Sequence, residues 1–222
     1  MARTLRIITA NLLNGAASRT ALRRLIRDER PDAFAAQELA PAAAAVIAGE
    51  LPHGLLDPSL DYLGGGIALR RPGDVVRLTM EHRDGHRVLL EPGTWPELTA
   101  PLEIVAVHLM NPVLRPWRHS AWVRRTQVEQ VLDHVRENRV ARVIVGDFNA
   151  TPAWRVYRKM AAVVQDAARV TGNPRRTWAP WWWMPRLLRI DHGFVEGVVP
   201  LSVRTRRVRG ADHSALIVDV RA

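Results

Sequence analysis

The sequence has no cysteine, a single lysine (Lys159), two tyrosines and three phenylalanines among its 222 residues. The absence of cysteine excludes disulfides, thiolate zinc sites and cysteine nucleophiles, and it leaves the redox compartment open. With one lysine, the formal net charge of +10 is almost wholly arginine. No window reaches the roughly 18 consecutive apolar residues that a membrane-spanning helix requires. The amino-terminal "MARTLRIITANLL" does not continue into a secretory signal. Its apolar stretch is β-branched and broken by Thr9 and Asn11, and no small-residue cleavage site follows. A cytoplasmic location is the expectation.

What is present argues for a folded chain. With 47% apolar residues it can bury a substantial core, which excludes disorder as a class. No repeat, low-complexity linker or compositional break divides it, so residues 1–222 are expected to form one large β-rich domain. The basic surface concentrates polyanions such as nucleic acid or anionic lipid headgroups.

Apolar strand-like runs recur at 5–10, 32–37, 66–70, 102–110, 142–146, 189–195 and 215–220. A helix is expected from Ser18, a plausible N-cap, with Leu22, Leu25 and Ile26 at helical spacing. A second is expected over 119–137, where Val128, Val131, Leu132 and Val135 form a stripe, and a third over 41–50. Strands interleaved with helices, some apolar on both faces, imply sheets covered by helices.

Polar groups cluster where these strands end: Asn11, Glu38, His108, Asp147 with Asn149, Asp191 with His192, and Asp212 with His213. Each has a bland reading. "VIVGDFNATP" (143–152) reads as a strand entering an Asx-type turn, or as Asp147 and Asn149 on one side of an extended segment. Asn11 could be a turn former, Glu38 a helix N-terminal acid, His108 a satisfied core histidine and Asp212-His213 hairpin chemistry. Such groups are costly beside apolar strands unless they satisfy one another or a metal. Six segments sharing the pattern imply a common cleft.

In order, "TANLLNG", "AAQEL", "VAVHLMNP", "VGDFNATP", "RIDHGF" and "GADHSALIVDV" resemble the motifs of the endonuclease/exonuclease/phosphatase superfamily, which includes deoxyribonuclease I. The resemblance runs from residue 6 to residue 220, and "GDFN" and "GADHSA" are its most specific parts. It implies an α/β fold of deoxyribonuclease I type: a four-layer α-β-β-α sandwich of two mixed sheets, with the site at one edge. It also implies a metal-dependent phosphodiesterase.

By resemblance, Glu38 is the principal metal ligand, with Asn11 and Asp212 beside it. Asp147 orients or deprotonates the attacking water, and Asn149 holds a phosphate oxygen. His213 contacts the phosphate and Asp191 orients its ring. His108 donates to a phosphate oxygen or assists the leaving group, whereas His192 is structural. Hard oxygen ligands without a thiolate favour Mg²⁺ or Mn²⁺. The chain departs from the resemblance at the acid that supports His108 in the deoxyribonuclease-like branch. Here that stretch is "LGGG" (63–66), with Asp61 the nearest acid.

Substrate signals are coarser. Arg206 and Arg207 within "VRTRRVRG" (203–210), Arg115 and Arg118 after His108, and Trp178 are the candidate substrate contacts; the alternative for 203–210 is a solvated edge strand. Residues 178–183 hold four tryptophans. Aromatics with arginine suit single-stranded or distorted nucleic acid. They also suit an anionic membrane surface docked through Trp181, Trp182 and Trp183, as in a sphingomyelinase-like enzyme. A third reading has them partly plugging the core and contacting another chain. Nucleic acid is the expected substrate, and no obligate protein partner is implied. A lysine-poor chain is a poor match for the inositol-polyphosphate phosphatases. A silent phosphate-binding module is the remaining alternative.

Overall fold

The computed structural model describes residues 4–113 and 116–222. Arg115 lies outside the described residues. Two mixed sheets of six strands each stack face to face. The first runs β11 (Val199–Arg207), β12 (Ser214–Arg221), β1 (Leu5–Asn11), β2 (Ala33–Gln37), β4 (Gly65–Leu69) and β3 (His53–Asp57). The second runs β5 (Val75–Leu78), β6 (Gly85–Leu90), β7 (Leu102–His108), β8 (Ala141–Asp147), β10 (Asp191–Glu196) and β9 (Gln165–Asp166). Helices α1 (Arg19–Glu29) and α2 (Pro41–Glu50) cover the first sheet; α3 (Trp117–Glu137) and α4 (Arg155–Ala161) cover the second, and the short α5 (Ala167–Val170) follows β9.

Side-chain alternation along the strands builds three apolar layers. Ile7, Ala35, Ile67, Ile104, Val143, Val145 and Val218 meet between the sheets. Ile8 and Phe34 point outward beneath Leu22, Leu25, Ile26 and Ile47. Val105, Ile144 and Phe194 do so beneath Val128, Val131, Leu132 and Val135. This is why β1, β2, β7 and β8 read as apolar on both faces: each has a sheet on one side and a helix on the other. Ser18 caps α1, its Oγ accepting from the Ala21 amide.

Topology brings the polar strand ends together. β1 and β2 are parallel with Asn11 opposite Gln37, and β7 and β8 are parallel with His108 opposite Asp147. β10 and β12 run antiparallel to those neighbours and begin at the same edge, Asp191 lying opposite Asp147. Segment 203–207 forms part of β11, an edge strand, as the solvated-edge reading implied. Arg204 pairs with Asp219 and Glu29, and Arg206 with Asp28 and Glu29.

Candidate active site

Asn11, at the end of β1, joins the two sheets. Its Nδ2 donates to Glu38 Oε1 at 3.0 Å and to Asp147 Oδ2 at 3.1 Å. Glu38 follows β2 in the left-handed backbone region, with φ of +49°. That conformation costs a non-glycine residue of order 1 kcal/mol or more. It is held by flanking hydrogen bonds, Leu12 N to Gln37 O and Leu39 N to Gly64 O. Burial raises the Glu38 carboxyl above its usual range. Its Oε2 is buried without a hydrogen-bond partner.

The "GDFN" segment combines both readings of its sequence. β8 ends at Asp147, and the Asn149 amide donates to Asp147 Oδ1 at 2.8 Å, closing an Asx-type turn with Asn149 at φ of +48°. The turn, more than an extended backbone, sets the two side chains together: Asn149 Nδ2 donates to Asp147 Oδ2 at 3.3 Å and to Leu109 O at 3.0 Å. Gly146 lets the strand approach β7, because a Cβ there would lie 1.9 Å from the Val107 carbonyl oxygen. Burial pushes the Asp147 carboxyl up to about 7.

His213 Nδ1 donates to Asp191 Oδ2 at 2.8 Å, and its Nε2 lies 3.7 Å from Asp147 Oδ2. Burial opposes charge on this imidazole, but Asp191 and Asp147 outweigh it and raise the pKa to about 10. Thr177 Oγ1 accepts from the Ile190 and Asp191 amides and so fixes the acid. Asp147, Asp191 and His213 bring ligand atoms within 4.8 Å of one another, a grouping able to hold a metal ion. An imidazolium hydrogen-bonded to Asp191 accounts for the same closeness, and its charge opposes a cation there. Glu38 and Asp212 each retain a buried oxygen without a hydrogen-bond partner, as Asp191 also does, but neither is hydrogen-bonded to the imidazolium, so Glu38 with Asn11 and Asp212 is the better-fitting donor set for a hard cation.

Asp212 accepts from Trp178 Nε1 at 2.9 Å. Trp178 stands at the base of the tryptophan loop, which is pinned beside the cluster by Ala179 N to Asp212 O and Ser214 N to Thr177 O. Arg186 adds bonds to Ser214 Oγ, His213 O and Ala211 O. At the tip, Trp181 and Trp183 are exposed and stacked, with centroids 6.1 Å apart, and Arg209 lies over Trp182. Arg118, on the first turn of α3, is exposed with its guanidinium over Trp117. Arg207 is exposed, but Arg206 spends its guanidinium on the α1 acids and is not brought to the cluster.

The group beside His108 is a cation. Arg83 Nη1 lies 2.5 Å from His108 Nδ1 and 3.1 Å from Nε2, while Asp61 bonds to Ser59 and the Leu63 amide instead. Burial and the nearby Arg83 charge hold His108 well below its usual pKa. Arg83 escaped the sequence reading because "EHRD" (81–84) is an irregular loop with no periodicity to aim its side chains. Thr177 was likewise invisible. His192 is structural, its Nε2 donating to Ala150 O among Phe148, Tyr157 and Phe194.

No curated protein sequence matches the chain. Among solved structures, it resembles an endonuclease/exonuclease/phosphatase from Beutenbergia cavernae (TM-score 0.75, 20% identity, 99% of this chain and 72% of that one). It also resembles a humanized D. rerio TDP2 (0.74, 19%, 99% of each). A third is the 3′ phosphatase NExo from Neisseria bound to a product DNA hairpin (0.76, 18%, 96% of this chain and 98% of that one). At these identities the likeness shows the fold. The family model for "Endonuclease/Exonuclease/phosphatase family" matches residues 8–213, from β1 to His213. The chain therefore belongs to the endonuclease/exonuclease/phosphatase family and is a hydrolase of phosphoric ester bonds.

Proposed function

We propose that this chain is a Mg²⁺-dependent phosphodiesterase that cleaves nucleic acid, with Mn²⁺ able to replace Mg²⁺. The observation that carries the reading is a site-edge cluster of four acids in which buried oxygens of Glu38, Asp191 and Asp212 lack a hydrogen-bond partner. Unpaired buried carboxylate oxygens are costly, and a divalent cation relieves that cost. Glu38, with Asn11 and Asp212, would hold the ion, which when bound neutralises the phosphate and lowers the pKa of coordinated water. Asp147, raised to about 7, takes the proton of the attacking water near neutral pH. Asn149 holds a non-bridging oxygen. His213, oriented by Asp191, carries positive charge toward the pentavalent phosphorus.

Three features favour nucleic acid: the +10 charge, the exposed stacked Trp181 and Trp183, and a fold neighbour bound to a DNA hairpin. Arg118, Arg207 and Trp178 are the proposed substrate contacts within the described residues.

The test is Mg²⁺-dependent hydrolysis of a panel: plasmid, single-stranded DNA, abasic duplex, RNA, sphingomyelin, phosphatidylinositol phosphates and bis-(p-nitrophenyl) phosphate. Glu38→Gln and His213→Ala serve as controls. Nucleic-acid cleavage abolished by EDTA and by both substitutions is expected. Turnover confined to lipid would replace nucleic acid with a membrane substrate, and a folded protein silent on every substrate would sink the reading.

A further inference from the structure

Asp212 and His213 stand just outside the sheet they precede. β12 opens at Ser214, and its ladder with β11 ends where Ser214 lies opposite Arg207, so strand pairing there places neither residue. His213 bridges instead to Trp178 of the tryptophan loop. The same loop holds its neighbours. Thr177 O accepts from Ser214 N at 2.7 Å, Ala179 N donates to Asp212 O at 3.1 Å, and Trp178 Nε1 donates to Asp212 Oδ2 at 2.9 Å.

Arg186, further along this loop, completes the hold. Its Nη2 donates to Ala211 O at 3.2 Å and to His213 O at 3.1 Å, and its Nε donates to Ser214 Oγ at 2.9 Å. The carbonyls before and after Asp212 thus go to one guanidinium, and that of Asp212 itself goes to Ala179. All three acceptors of Arg186 are neutral, so arginine serves here through its rigid fork of donors and not as half of an ion pair. Nη1 is buried with no acceptor among the described residues. With Nε and Nη2 engaged, no N–H of this guanidinium is left open to a phosphate.

We infer that Arg186 is a positioning residue: it clamps the backbone from Ala211 to Ser214 and thereby sets the Asp212 carboxylate and the His213 ring, without touching substrate. Trp178 fixes one Asp212 oxygen, and the clamped backbone leaves the other, Oδ1, buried and unpartnered beside the cluster. The catalytic consequence rests on the phosphodiesterase reading; the hold on the His213 ring does not.

The experiment compares Arg186→Met and Arg186→Lys in the full chain, with thermal melts to confirm folding. On bis-(p-nitrophenyl) phosphate, Arg186→Met should lower kcat about 10- to 100-fold with KM little changed, and should raise the Mg²⁺ concentration that gives half the maximal rate. Arg186→Lys, which keeps a donor for the two carbonyls, should recover part of kcat. Separately from turnover, ¹⁵N–¹H correlation on metal-free, ¹⁵N-histidine-labelled protein reads the His213 Nδ1–H, assigned by its loss in His213→Asn. That proton should exchange with water at least about tenfold faster in Arg186→Met than in the wild type. Wild-type kcat in Arg186→Met, a loss carried by KM alone, or an unchanged exchange rate would overturn the inference, the second by making Arg186 a substrate contact. If the wild type hydrolyses no phosphodiester, the catalytic consequence falls with that reading, and the exchange rate alone decides the clamp.

Discussion

Asp191 Oδ2 accepts from His213 Nδ1 at 2.8 Å across the sandwich, for Asp191 opens β10 of the second sheet while His213 directly precedes β12 of the first. The bond locks the ring orientation and stabilises the imidazolium. Asp191→Asn keeps the shape and removes the charge, so kcat should fall about 10²- to 10⁴-fold. The fold should persist, because Thr177 Oγ1 accepts from the backbone amides of Ile190 and Asp191 and not from the Asp191 side chain. Steady-state kinetics beside a thermal melt checks this; full activity in Asp191→Asn would remove His213 from the chemistry.

Asp147 sets the acid limb of the pH profile. As a base it works only when deprotonated, and burial places its pKa at about 7. A bound divalent ion nearby lowers that value. At saturating metal, log kcat/KM should therefore rise with unit slope to a midpoint at or below about 7. It should fall again as His213 loses its proton toward about 10. A rate that falls, instead of rising or holding level, as pH increases from 5 to 8 would exclude Asp147 as the base.

Gly146 is needed for strand pairing and not for chemistry. Its φ of +147° and the 1.9 Å gap between a built Cβ and Val107 O leave no room for a side chain. Gly146→Ala should cost on the order of 3 kcal/mol by forcing β7 and β8 apart. Urea unfolding measures the loss. A change below about 0.5 kcal/mol would show that the pairing tolerates a methyl group.

Sequence alone carried the central strands, α1 to α3 and the polar strand ends, because burial on both faces and helical spacing leave strong periodic signals. It did not carry β3, β5 and β6, which are short and lie toward one side of the sandwich, β3 and β5 at sheet edges where half-exposed residues blur the alternation. Glu38 was identifiable by motif, but its left-handed backbone was not. Arg83 and Thr177 reach the site through tertiary packing, which no spacing in the chain encodes. Arg206 shows the converse: a basic run beside a site looked like substrate contact, yet local acids on α1 consume that guanidinium.

The edge of the sandwich near His108 is stitched by Asp57, and its stability should follow that carboxylate. Asp57 on β3 of the first sheet accepts from Arg77 Nε and Nη2 on β5 and from His86 Nε2 on β6, all at 2.9 Å. These three residues help to line a cleft of about 430 Å³ that also reaches Arg83. The Arg77 bond, then that from His86, lowers the Asp57 pKa from 3.8 to about 2. A depressed carboxyl stabilises the fold above its unfolded pKa and loses that contribution as pH falls through the folded value. The lock is partly exposed, so after screening it is worth on the order of 1 kcal/mol. Asp57→Asn should lower Tm by about 2–4 °C at pH 7. The gap to wild type should hold down to pH 4 and close as pH approaches 2. A constant gap across that range would assign the loss to packing, not to charge.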